Sequence, residues 1–171
     1  MKMIDLFLAE LDREAAATRR TLERVPDGRP DWTDFKPHER SMPMGYLATL
    51  VATMPSWVTL TIDQDEFDIA PPGKPYQPPL VRTSRELVEM YEGHLTKARE
   101  ALLRTTDEHL MKPWKLLAGG QVVIDQPRHE MLRDGVLNHL WHHRGQLTVY
   151  LRLTGAKVPA IYGQSADEGR P

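Results

Sequence analysis

Fourteen prolines divide this chain. They crowd residues 26–43 and 71–79 and stand singly at 55, 113, 127, 159 and 171. Proline lacks the amide hydrogen that a helix interior or a central strand needs, so regular structure has to fit between the clusters. The intervening segments read as four stretches of helical spacing and helix-forming composition.

The first covers residues 3–25, with Leu8, Leu11, Ala15, Thr18 and Leu22 on its apolar face and Glu10, Arg13 and Thr21 turned elsewhere. The second covers residues 44–61, where Leu47, Leu50, Met54 and Trp57 share a face. Pro55 removes the bond to the Val51 carbonyl and predicts a kink. The third opens on Thr83 and Glu86 at capping-box spacing and runs to 105, with Leu87, Tyr91, His94, Ala98 and Leu102 near one stripe. The fourth covers residues 128–154, and Gly155 is placed to end it in a left-handed conformation. Between the third and fourth, KPWKLLAGGQVVIDQP is too rich in glycine and β-formers for a helix. It predicts a short hairpin or an extended crossover, with Gly119-Gly120 as an ordinary turn signal. The expectation is an all-α four-helix bundle with long connections, forming one domain over residues 1–171.

Composition narrows the function. A formal charge of −2, with both signs alternating along the helices, supplies no basic surface for nucleic acid. The absence of cysteine removes disulfides, thiolate metal sites and cysteine nucleophiles. The opening MKMIDLFLAELDRE is amphipathic and acidic, unlike a signal peptide, and no apolar run reaches membrane-spanning length. The reading is a cytoplasmic protein without membrane or nucleic-acid partners. No G-x-S-x-G elbow, P-loop or G-x-G-x-x-G fingerprint is present.

The fourth stretch carries the one concentration of chemistry, NHLWHHRGQ at 138–146. Leu132, Val136, His143, Gln146 and Tyr150 fall within about 60° of His139 at 100° per residue. An inward stripe that reads His, His, Gln, Tyr needs a metal, a ligand or water to satisfy it. His139 and His143 have the i, i+4 spacing that lets two imidazoles share a cation, while His142 lies about 100° from His143 and reads as a flanking residue. Gly145, in mid-helix, suggests a close backbone neighbour. His94 reads as a hydrogen-bonded core residue first and a ligand second. Asp63, Asp65 and Asp68 read as solvated linker charges, and His38, His109 and His129 as surface residues.

NHLWHHRGQLTVYLRLTGAKVPAIYGQSADE and PHERSMPMGYLATLVATMPSW resemble the C-terminal signature and second-helix region of the DinB (DinB/YfiT-like) family. The likeness runs in order along the whole chain, with Gln164 where a proline is more usual. It implies a four-helix bundle, often a homodimer, holding zinc or nickel through three histidines. His139 and His143 match two of them. The third position, on the second helix, is here Leu50. Its neighbours Tyr46, Leu47, Thr53 and Met54 offer no good zinc ligand, although the Tyr46 phenol could bond to a water.

Two readings follow. One is a metal-dependent enzyme of the thiol-dependent transferase or hydrolase type known among similar proteins, with a degenerate site in which Leu50 replaces the usual histidine. His139 and His143 would be ligands, Gln146 and Tyr150 would orient substrate, and Leu50, Met54 and Trp57 would line the pocket. No general base is identifiable. The alternative is a non-catalytic, metal-poor dimer of the same fold, binding a small molecule or a low-molecular-weight thiol, or associated with stress.

Overall fold

The computed structural model describes residues 2–73, 79 and 81–169. Helix α1 (Met3–Leu22) begins where the amides of Met3 and Ile4 donate to the Asp107 carboxylate at 3.0 and 3.2 Å. A side chain about a hundred residues away thus supplies acceptors for amides that a helix start leaves bare. Leu11, Ala15, Thr18 and Leu22 are buried as expected. Thr21 is buried as well, contrary to expectation, because its hydroxyl donates to the Ala17 carbonyl (2.8 Å) and leaves no polar group unsatisfied.

Pro55 acts as its geometry requires. The second stretch is two helices, α2 (Met44–Thr53) and α3 (Ser56–Asp63), inclined at 49°. Helix α4 (Ser84–Arg104) has the capping box: Thr83 accepts the Glu86 amide (3.2 Å) and the Glu86 carboxylate accepts the Thr83 amide (3.0 Å). Its buried line is Leu87, Tyr91, Leu95, Ala98 and Leu102. His94 therefore stands beside the stripe, half-buried, and not on it.

The connection after α4 carries a short helix, α5 (Asp107–Leu110), and then the expected hairpin, β2 (Pro113–Ala118) and β3 (Gln121–Pro127). Gly119 and Gly120 turn it with φ of +61° and +79°. A further strand, β1 (Glu66–Asp68), lies parallel to β2 and completes a three-stranded sheet in the order β1-β2-β3. The all-α expectation is corrected accordingly: the fold is mostly helical with a small sheet. Asp68 explains the extra strand, since its carboxylate accepts the amides of Gly119 (3.0 Å) and Gly120 (2.7 Å) and ties β1 to the hairpin turn. The other two linker aspartates also have partners. Asp63 pairs with Arg104 (2.5 Å), and Asp65 pairs with the buried Arg128 (2.5 Å).

The last stretch starts as α6 (Arg128–Glu130), continues as a π-helical segment (Met131–Asn138) and becomes α7 (His139–Leu153). It ends as the sequence predicts: Gly155 has φ +79° and the Ala156 amide donates back to Leu151 (2.9 Å). Helices α1 and α2 each pack against both α4 and α7, and α3 packs against α4 and the π-helical segment. The apolar core lies between them, around Leu22, Leu47, Leu87, Tyr91, Leu102 and Leu147. Among the described residues no single helix is long and apolar enough to cross a membrane.

Candidate functional site

Leu140, Leu147 and Leu151 are fully buried and define the inward line of α7. Leu147 lies about 80° around the axis from His139. The buried arc is thus rotated from the one expected: His139 is exposed, Gln146 is half-buried, and only His143 and Tyr150 reach the buried edge. The polar residues edge the core and do not run through it. What hid the true line in the sequence is Arg144, a charged residue between leucines that is itself 1% exposed.

The two histidines nevertheless converge. Nε2 of His139 lies 2.7 Å from Nε2 of His143, and the ring centroids are 4.5 Å apart. Nδ1 of His143 donates to Oε1 of Gln146 at 2.8 Å, which leaves Nε2 carrying the lone pair that accepts from His139. Burial pushes the His143 pKa below the ordinary histidine value, the Gln146 bond opposes this, and the neighbouring His139 and His142 add to the depression. His142 sits exposed on the flank, its ring edge-on to His143 at 5.0 Å.

Leu50, the position at which the family resemblance implies a third imidazole, is half-buried on α2. Among the described residues no group of three histidine, aspartate or glutamate side chains could hold a metal. His94 therefore does not complete a set, and burial, reinforced by Lys97, lowers its pKa. The donor set supplies two well-directed nitrogens and does not fit a three-histidine metal site. Of the other candidate residues, the Tyr150 hydroxyl donates to the Met42 carbonyl (3.0 Å), Met54 is buried, and Trp57 packs edge-on against Phe67 at 5.6 Å.

Beside this pair lies a network that sequence reasoning missed, buried at Glu14, Thr18 and Arg144 and capped by the exposed Tyr162. Glu14 on α1 and Arg144 on α7 form an ion pair at 2.6 Å with both side chains nearly free of solvent contact. Arg144 also donates to the Thr18 hydroxyl (3.0 Å) and to the Tyr162 oxygen (2.6 Å), and Tyr162 donates to the second partner, Glu14 (2.8 Å). The Arg144 guanidinium stands 5.5 Å from the centre of the Tyr162 ring. The tail after α7 is fastened twice more. Glu168 pairs with Arg24 (2.7 Å) and with Arg20, and Asp167 pairs with Arg152 (2.5 Å). Partners some 130 residues apart carry no local signal.

The sequence model of the DinB family matches residues 83–170, just over half of the chain. The chain belongs to the DinB family. Along its length it is similar to the uncharacterized YrdA protein of Bacillus subtilis, 24% identical over 165 residues, covering 96% of this chain and 91% of that one. Its fold is similar to two solved DinB-like structures. One, from Bacillus cereus, has a TM-score of 0.68 and 24% identity, covering 91% of this chain and 95% of its own. The other, YjoA from B. subtilis, has a TM-score of 0.64 and 18% identity, covering 90% and 96%.

Much of the DinB-like signature of this chain is therefore scaffold. Arg144, Arg152, Tyr162, Asp167 and Glu168 fasten the tail, while His139, His143 and Gln146 are the part left open. Three smaller expectations are corrected here. A Cβ on Gly145 would meet nothing within 4 Å, so no backbone approaches it. His109 and His129 are half-buried, and their rings bond to the carbonyls of Ile62 (3.0 Å) and Leu110 (3.3 Å).

Proposed function

We propose that this DinB-family chain is a four-helix bundle in which the His139–His143 pair binds a small molecule without a tightly held resident metal. The observation that supports this reading is the pair itself: two ring nitrogens directed at one another at 2.7 Å, in a chain that has leucine at position 50, where the family resemblance implies a third histidine. Two protein ligands hold a divalent ion much less tightly than three. The pair still has chemistry of its own. His143 is neutral near pH 7 because burial lowers its pKa, so it can accept a proton from a weakly acidic ligand. A low-molecular-weight thiol is the ligand class in view, its S–H taking the place of the exposed His139 ring at Nε2 of His143. The homodimer that the family resemblance implies is part of the proposal. Val149 and Leu153, both 55% exposed on α7, are apolar surface that a second copy would cover.

A second reading has one specific observation in its favour. The His143–Gln146 bond is the kind of contact that directs a metal-binding imidazole toward its ion. On that reading His139 and His143 would hold zinc or nickel in a thiol-dependent transferase or hydrolase. The ion would supply an activated water or thiolate.

One experiment separates the two. Untagged protein and a His139→Ala, His143→Ala variant are compared for bound metal by mass spectrometry and for thiol binding by calorimetry. Metal at background, even after incubation with zinc or nickel, together with thiol binding that the variant loses, is the expected result. Near-stoichiometric metal lost in the variant would favour the metalloenzyme. Absence of both metal and thiol binding would remove both readings.

A further inference from the structure

A cleft of about 250 Å³ lies between the first turns of α1 and the π-helical segment. Trp141 is about 160° around the α7 axis from His143, so this cleft and the histidine pair occupy different sides of the helix. Its apolar floor is Phe7, Leu137 and Trp141. Its rim carries Glu10, Glu130 and Asp134 against a single guanidinium, Arg133.

Three features distinguish this cleft from ordinary surface. First, the half-buried ring of Trp141 lines the cleft, and its indole N–H, closed off from solvent, has no hydrogen-bond partner among the described residues. Secondly, one wall is the π-helical turn itself, an uncommon conformation that recurs at functional sites. Thirdly, the acidic rim is not neutralised internally. Among the described residues the Asp134 side chain accepts only from the uncharged Asn138 amide (3.0 Å), and the contact of Glu10 with Arg13 is an exposed pair at 3.9 Å. His129, also at the cleft, bonds through Nδ1 to the Leu110 carbonyl.

The geometry points to a site for a small organic cation with an apolar body, of the arylalkylammonium class. The ring would lie on Phe7, Leu137 and Trp141, and the ammonium would meet Glu130 and Asp134. A cation beside the Trp141 face gains from the ring quadrupole as well as from the carboxylates. The volume admits a molecule on the order of ten heavy atoms, at the small end of ligand sites.

The test is calorimetry on the full chain with 2-phenylethylammonium, phenylacetate and neutral 2-phenylethanol as probes. The amine is expected to bind at least about tenfold more tightly than phenylacetate, and less tightly as salt rises. A Glu130→Gln, Asp134→Asn variant is expected to lose at least about tenfold in amine affinity while 2-phenylethanol is unaffected. Both residues are exposed, and circular dichroism checks that the variant is folded. A His139→Ala, His143→Ala variant should bind the amine as the parent does. The proposal is overturned by equal affinity for amine and carboxylate, by no saturable amine binding at millimolar concentration, or by indifference to the carboxylate variant. Loss of amine binding in the histidine variant would also overturn it, because the ligand would then belong to the other face.

Discussion

Two sets of polar side chains meet on α7 within the eight residues 139–146, and they are built in opposite ways. Arg144 is enclosed, and its guanidinium meets a carboxylate, a threonine hydroxyl and a tyrosine oxygen. His139 and His143 sit at the edge, joined to each other and to Gln146. Enclosure makes the first set intolerant of change, since a buried charge without its partner is costly. Openness leaves the second free to lose a ligand while the fold stands. A protein can thus keep its family's architecture while its site drifts.

The sharpest way to break this contrast is Arg144→Ala. It strands Glu14 in the core and should cost about 3–5 kcal/mol, read as a lower urea midpoint, with failure to express folded protein as the extreme. Next in size is Leu50→His, which should raise zinc or nickel affinity at least tenfold, about 1.4 kcal/mol, measured by competition with a chelator. If affinity does not change, position 50 does not face the pair and the drift argument fails. Tyr162→Phe removes one donor and one acceptor at the exposed end of the Arg144 set but leaves the ion pair. A loss of about 1 kcal/mol is expected on denaturation. The smallest effects belong to the open set: His139→Ala should shift stability by less than about 0.5 kcal/mol.

Acidity tests the same division. His143 has a pKa below its unfolded value, so the unfolded chain takes up a proton first as pH falls. The stability linked to His143 is present above the unfolded pKa of about 6.5 and is lost as pH falls toward the folded value. His143→Gln should flatten the dependence of the urea midpoint on pH between about 7 and 5. An unchanged slope would mean that this ring is solvated in the folded state.

Local chemistry was legible in the sequence and long-range pairing was not. Thr83 with Glu86, the bend at Pro55, the Gly119-Gly120 turn and the stop at Gly155 each depend on a few adjacent residues, and each was readable. The orientation of α7 was misjudged because an arginine occupies its apolar line and its partner, Glu14, is on the first helix. β1 escaped notice because three residues paired to a distant hairpin have no periodicity of their own. For the site, the convergence of His139 and His143 was visible. The outward position of His139 was not, since it follows from the packing of leucines at 140, 147 and 151.

Both ends of α1 are secured by chain that is synthesised much later. Asp107 receives its first amides, and Glu168 holds Arg20 and Arg24 near its end. On the ribosome these partners emerge on the order of a hundred residues or more after it, so this helix must wait for its anchors. Helix α1 leaves the ribosome before α4 and α7 and is locked at both ends only after both of them.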